Sequence, residues 1–430
     1  MEGILTNQEI NTICKQLGHT WRVRVFPPAV TVRSMVYRSL HPDRSIKGVL
    51  ADLAAAGDGR ESAPTDAAWC QARSRLPEGL WPELTQRSAS RAAAAAGDQF
   101  VLDDRPIYIV DGSSLSMPDT PELVDEFGYA NTKHGPSRFP VARITFLVRA
   151  GVEAVSDYRL GPYIEAEDAQ LHAIWHGIPP GSIVIWDRYF CSFYNLAKCR
   201  QRGVDVITRL HQRRDPETLV ANGKQLGKND WLVRLHLAPQ LRKQYDDPSL
   251  PEFLDVRLIR AVFYHGGRRR EIWLVTTLLD PKRYPRRAIV RLYRRRWTIE
   301  TRIGYLKTTL QMNVLRSQKP LGVRSEVAAT ILAHNLTITV IHQAARRARM
   351  SAARISFADA VRSILAFSAA LRTASGSVRR RLYRNMLTHI ASDPNPHRPG
   401  RVEPRLIKRD PVRYEFLRIP REHARQLCLS

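Results

Sequence analysis

The chain has few cysteines, few acids and no long uninterrupted apolar run, and each shortage excludes something. Its five cysteines, Cys14, Cys70, Cys191, Cys199 and Cys428, are odd in number and contain no Cys-x-x-Cys pair. That fits reduced thiols in a cytoplasm and argues against a zinc finger. The apolar stretch 327–341 is broken by His334 and Asn335 and is short for a membrane span, so it predicts a buried helix. The opening Met1-Glu2-Gly3-Ile4 has no basic region followed by an apolar block, so no secretory signal is expected. No repeat is present, and only the alanine run 92–96 is of low complexity. His172 and His176 lie four apart, but no third ligand accompanies them, which argues against a zinc pair.

Acids number 41 against 67 lysines and arginines, for a formal charge of +26. Arginine supplies most of the excess, and its planar fork of donors grips phosphate. A polyanion is therefore the expected partner, nucleic acid rather than membrane. A chain of 430 residues is long enough for two or three domains.

Along the chain, residues 1–98 read as helices. Thr6-Asn7-Gln8-Glu9 is a capping box, and helical patterns cover 30–40, 46–56 and 65–75. Prolines and Gly57-Asp58-Gly59 separate them. Arg33, Arg38, Arg44, Lys47, Arg73 and Arg75 make this region either a DNA-binding module or a helical cap on the catalytic core. From about residue 100 strands dominate. Apolar runs at 107–110, 141–149, 152–158, 183–186 and 204–210 are interrupted by two helical stretches. Asp111 and Asp187 each directly follow such a run, where two acids can converge at one sheet edge. Residues 212–286 show strand texture at 231–237, 256–264 and 272–278 and are too many for a bare loop. Residues 323–349 and 357–371 read as buried helices. The tail from about Ser375 is basic and broken by proline, suited to clamping DNA or to remaining disordered without it.

The stretch 293–307 organises the rest. It carries no proline and has helical apolar spacing, so it predicts one helix. At about 100° per residue, Tyr293, Arg296, Glu300 and Lys307 fall within about 60° of one another. One carboxylate then sits among a phenol, a guanidinium and an ammonium.

Tyr, two residues, Arg, three residues, Glu, six residues, Lys resembles the motif around the third catalytic acid of the insertion-sequence-four group of DDE transposases. Asp111-Gly112-Ser113 and Asp187-Arg188 resemble that family's first and second acid motifs. Bulky Trp186 and Tyr189 beside the second acid depart from it. Glu403-Pro404-Arg405 and Lys408-Arg409 resemble its tail.

The resemblance implies an α/β fold with a ribonuclease-H-like catalytic core, a mixed sheet flanked by helices. It divides the chain into an N-terminal helical domain, 1–98, a catalytic domain, 99–350, with a β-rich insertion at about 212–286, and a helical and basic C-terminal region, 351–430. It implies cut-and-paste DNA transposition through a hairpin on the element end, by a homodimer holding two ends near the nucleoid. Asp111, Asp187 and Glu300 would be the catalytic acids holding two Mg²⁺ or Mn²⁺ ions about 4 Å apart, with Asp111 bridging them. Tyr293, Arg296 and Lys307 would hold phosphates near the scissile bond, with Arg188 as a further candidate. In the family, a Trp of the insertion stacks on a flipped base; Trp273 matches best in position and Trp231 second. Two rival readings are a catalytically silent DNA-binding relic and an RNA-binding protein explained by charge alone.

Overall fold

A computed structural model describes residues 5–22, 25–55, 65–97, 101–132, 135–265, 268–396 and 426–427; the side chains of 53, 132, 264, 265, 268 and 297–302 lie outside the description. Glu300 is therefore described in its backbone alone. Cys428 and the motifs at 403–405 and 408–409 lie outside the described residues.

The helices α1 (Asn7–Gln16), α2 (Pro28–Leu40), α3 (Ile46–Ala55), α4 (Asp66–Ser74) and α5 (Leu80–Ala96) come first. Thr6 and Thr65 cap α1 and α4 by accepting the third backbone N–H, which satisfies donors the helix leaves orphaned. Next come β1 (Val101–Leu102), β2 (Arg105–Ser116), α6 (Pro121–Phe127), β3 (Tyr129–Thr132), β4 (Gly135–Arg149) and β5 (Val155–Pro162). The alternation continues with α7 (Glu167–Ile174), β6 (Ile183–Ile185), α8 (Phe193–Gln201) and β7 (Asp205–Arg209). Then come α9 (Pro216–Ala221), β8 (Lys224–Gly227), β9 (Asp230–His236), α10 (Pro239–Tyr245), β10 (Phe253–His265) and β11 (Arg268–Thr276). The last of these elements are α11 (Arg286–Arg294), α12 (Arg296–Thr308), α13 (Pro320–Arg347), α14 (Phe357–Thr373) and α15 (Gly376–Ile390).

These strands form one mixed sheet in the order β3-β4-β2-β6-β7-β11-β10-β9-β8, with β5 also on β4. Strands β4 and β2 run antiparallel, whereas β2, β6 and β7 are parallel. This is the ribonuclease-H-like arrangement. Strands β8 to β11 extend it, because β11 adds antiparallel to β7.

Side chains alternate between the two faces of a strand, so each face has its own core. On one face Ile107, Ile109, Ile183, Ile185 and Ile207 pack under α11 to α14 and the N-terminal helices. On the other, Val110, Val184, Trp186 and Val206 pack under α7 and α8. Helix α13 is buried along most of its length and touches α2, α5, α14 and α15. The polar residues that break its apolar run have buried partners. Asn335 accepts from Val155 N–H, and its amide donates to Val155 C=O and Ser88 Oγ. No helix among the described residues is long and apolar enough to cross a membrane.

Two expectations change here. The stretch from Ser375 contains α15, which buries Met386, Leu387 and Ile390 against its neighbours. The arginine count hid that apolar stripe. In addition, Asp111 lies inside β2 rather than after it, because β2 runs on to Ser116 against β4.

A fully buried ion pair holds the extension to the core. Arg257 on β10 bonds both carboxylate oxygens of Asp230 on β9 and donates to Leu278 and Tyr284 carbonyls ahead of α11. Replacing one member leaves the other charge buried and unpaired. Asp230→Ala should lower unfolding stability by about 3–5 kcal/mol, read as a lower urea midpoint.

Candidate active site

The site is built by strand register. Strand β2 pairs with β6 as Ile107↔Ile183, Tyr108↔Val184 and Ile109↔Ile185. Asp111 and Asp187 each lie two residues beyond the last of these pairs. They therefore share the face of Ile109 and Ile185, on neighbouring strands about 4.8 Å apart. Strand β7 continues the row, since Ile185 pairs with Ile207 and Arg209 lies two residues further. Sequence reading missed Arg209, whose role in this row emerges only from the register.

Local bonds fix both acids. Asp111 Oδ1 accepts from Gly112 N–H at 3.0 Å. Asp187 caps the 3₁₀ turn Arg188–Phe190, its Oδ1 accepting from Arg188 N–H at 2.7 Å. Thr208 Oγ1 donates to the Asp187 carbonyl at 3.1 Å. Bulky Trp186 is fully buried on the other face, so its size alters packing there and leaves the acid face clear.

The helices deliver the remaining groups. The expected single helix over 293–307 is two helices, α11 and α12, meeting at Arg295. There the N–H closes an i→i−3 bond of 2.9 Å to Leu292 C=O. The tightened turn leaves Arg294 and Arg295 exposed while Tyr293 and Arg296 stay buried. Arg296 reaches Asp111, Nη1 to Oδ2 at 3.7 Å. Tyr293 Oη is buried, with the Arg296 guanidinium beside it. Burial pushes this phenol up to about 12. Arg296 and Arg209 pull it down and Asp187 raises it further, so Tyr293 lies over the row.

Glu300 follows Arg296 by one turn of α12, and Lys307 is half-buried two turns later. Burial pulls the Lys307 ammonium below the usual lysine range. The segment just after α12 is tied to the strand that carries Asp111. Ser116 N–H donates to Asn313 C=O at 3.0 Å, and Leu315 N–H donates to Ser116 C=O at 2.8 Å.

Of the other expected residues, Arg188 stays beside Asp187 and Trp273 does not join the row. Arg188 is half-buried on the 3₁₀ turn, near His211. Trp273 lies on β11 on the face opposite the acids, half-buried, with its ring 5.7 Å from Trp231 and the Arg260 guanidinium 5.8 Å from its centre. His172 and His176 diverge: His172 bonds Asn195, and His176 lies 3.2 Å from Asp157.

The donor set is hard carboxylate oxygen, which suits Mg²⁺ or Mn²⁺ better than zinc. Among the described residues no group of three His, Cys, Asp or Glu is placed to hold a metal ion. Asp111 and Asp187 supply two of the expected three carboxylates, and the Glu300 side chain lies outside the description.

Spectrophotometric titration tests the burial of Tyr293. Tyr293→Phe should leave the tyrosinate transition near pH ~10 unaltered and remove amplitude near pH 12. Loss of amplitude near pH ~10 instead would mean the phenol is solvated.

Comparison with known proteins agrees with this architecture. The family model described as "Transposase DDE domain" matches residues 102–336, from β1 to the middle of α13. The transposase InsG for insertion sequence element IS4 of Escherichia coli (strain K12) is 24% identical over 311 residues, covering 72% of this chain and 69% of that protein. The putative transposase InsZ of the same organism is 28% identical over 156 residues, 35% of this chain and 51% of InsZ. With its family model matched over more than half its length, the chain belongs to the DDE transposases, of the insertion-sequence-four type.

Proposed function

We propose that this protein is an active cut-and-paste transposase in which Asp111, Asp187 and Glu300 are the catalytic acids. The observation that carries the reading is the shared register of Asp111 and Asp187, with α12 bringing Arg296 against the first of them. Asp111 holds the central place, with Asp187 beside it, and Glu300 is carried by α12 one turn after Arg296. Asp111, Asp187 and Glu300 would hold Mg²⁺ or Mn²⁺, which would supply an activated water or hydroxyl and offset charge at the leaving oxygen.

The chain's own groups do the rest. Arg296 keeps the Asp111 carboxylate in place, and Tyr293, Arg296 and Lys307 orient the phosphate beside the acids. Arg188 and Arg209 add cationic charge along the same edge. DNA is the substrate, which the +26 charge supports. The N-terminal helices recognise the element ends, and two chains hold two ends. Nicking, a hairpin on the element end, hairpin opening and strand transfer accord with membership of the group. Base stacking at Trp273 requires the DNA strand to pass round the sheet edge, because that ring lies behind the acid face.

Cleavage of a labelled duplex carrying the element's own ends tests the reading. Wild type should nick it in Mg²⁺. Asp187→Ala and Glu300→Ala should bind it as tightly in Ca²⁺ but cut about 100-fold more slowly or worse. Wild type that binds the ends and never cuts would make the chain a DNA-binding relic.

A further inference from the structure

Tyr189 is two residues past Asp187 and is 65% exposed, the most exposed of the described aromatic side chains, with Phe253 next at 43%. The ring of Phe253 is covered by the Arg234 guanidinium at 3.9 Å. No hydrogen bond, ion pair or ring contact holds Tyr189 among the described residues. Its backbone, in contrast, is firmly held. The 3₁₀ turn closes through Phe190 N–H to Asp187 C=O at 3.1 Å and Cys191 N–H to Arg188 C=O at 3.0 Å. Phe190 is buried with its ring 6.1 Å from that of Trp186, and its carbonyl accepts from Asn195 Nδ2 at 3.1 Å. A rigid turn thus holds a free aromatic ring out into solvent beside an acid of the site.

The surroundings are cationic. His211 lies against Cys191 at the end of this turn and is pushed below the usual histidine range by burial and then by Arg213, Arg214 and Arg188. Cations next to a free aromatic ring are what single-stranded DNA binds, phosphate to the cations and base to the ring. The aromatics expected at the site are poorly placed for this. Tyr293 is buried over the acid row, while Trp231 and Trp273 are half-buried on the opposite face.

We propose that Tyr189 is a stacking surface for an unpaired nucleobase next to the scissile phosphate, with Arg188, Arg213 and Arg214 holding the adjoining backbone. The assignment rests on the transposase reading above. Bulk at this position then serves substrate handling: the ring receives a base displaced when the duplex end is distorted for cutting.

Photocrosslinking tests the contact. The probe is a duplex carrying the terminal repeats that flank this gene, with 5-iododeoxyuridine placed singly within a few positions of the cut, bound in Ca²⁺ and irradiated. A crosslinked peptide containing Tyr189, confined to one or two positions, is the expected result. In Mg²⁺, Tyr189→Ala should slow cleavage roughly ten-fold or more, and Tyr189→Phe should restore it, since stacking needs the ring and not the hydroxyl. Bound probe without a Tyr189 crosslink, together with Tyr189→Ala cutting at the wild-type rate, overturns the proposal and leaves the transposase reading standing. A Tyr189 crosslink in a wild type that never cuts would overturn the catalytic reading and leave the stacking contact in place.

Discussion

The parallel register of β2 against β6 is the constraint on which the site depends. Ile109 opposite Ile185 makes Asp111 and Asp187 neighbours on one face. A slip of one residue would turn one acid into the opposite core, among Val110, Val184 and Trp186. The apolar residues flanking the acids therefore set position as well as stability. Ile107, Ile109, Ile183 and Ile185 are buried on one face and Val110 and Val184 on the other, so a slip would disturb both cores.

The remainder of the fold holds a helix over that edge. Helix α12 meets α11 at the tight turn of Arg295, and the segment that follows α12 is tied to the last residue of β2. Ahead of α11, Arg257 binds the carbonyls of Leu278 and Tyr284 and anchors that segment to β10. Helix α13 packs against the N-terminal helices, and Asn335 bonds both β5 and α5. The strand carrying Asp111 and the helix carrying Glu300 are thus joined directly, through the segment just after α12.

Much of this was legible in the sequence. The apolar runs before Asp111 and Asp187 announced strands, and the spacing Tyr293, Arg296, Glu300, Lys307 announced helix, though as one helix where the chain has two. The illegible features depend on pairing partners. The run 107–110 ends in apolarity at Asp111, yet β2 continues because β4 supplies hydrogen bonds as far as Ser116. The break at Arg295 is invisible to periodicity, since arginine continues a helix as readily as it ends one. Arg209 joins the acid row only through the register of β7, and alternation alone sends Trp273 behind the sheet. Helix α15 was hidden because its few buried residues are outnumbered by arginines.

Under the proposed function, segments around residues 111, 187 and 300, remote in sequence, surround one divalent-cation site. Iron-directed cleavage tests it most directly. Fe²⁺ replacing Mg²⁺, with ascorbate and peroxide, generates hydroxyl radicals that cut the backbone near the bound ion. Three sets of fragments are expected, ending near 111, 187 and 300, all suppressed by excess Mg²⁺ and all lost together in Asp111→Ala. Cuts at only one of these segments, or at none of them while Fe²⁺ remains bound, would contradict it.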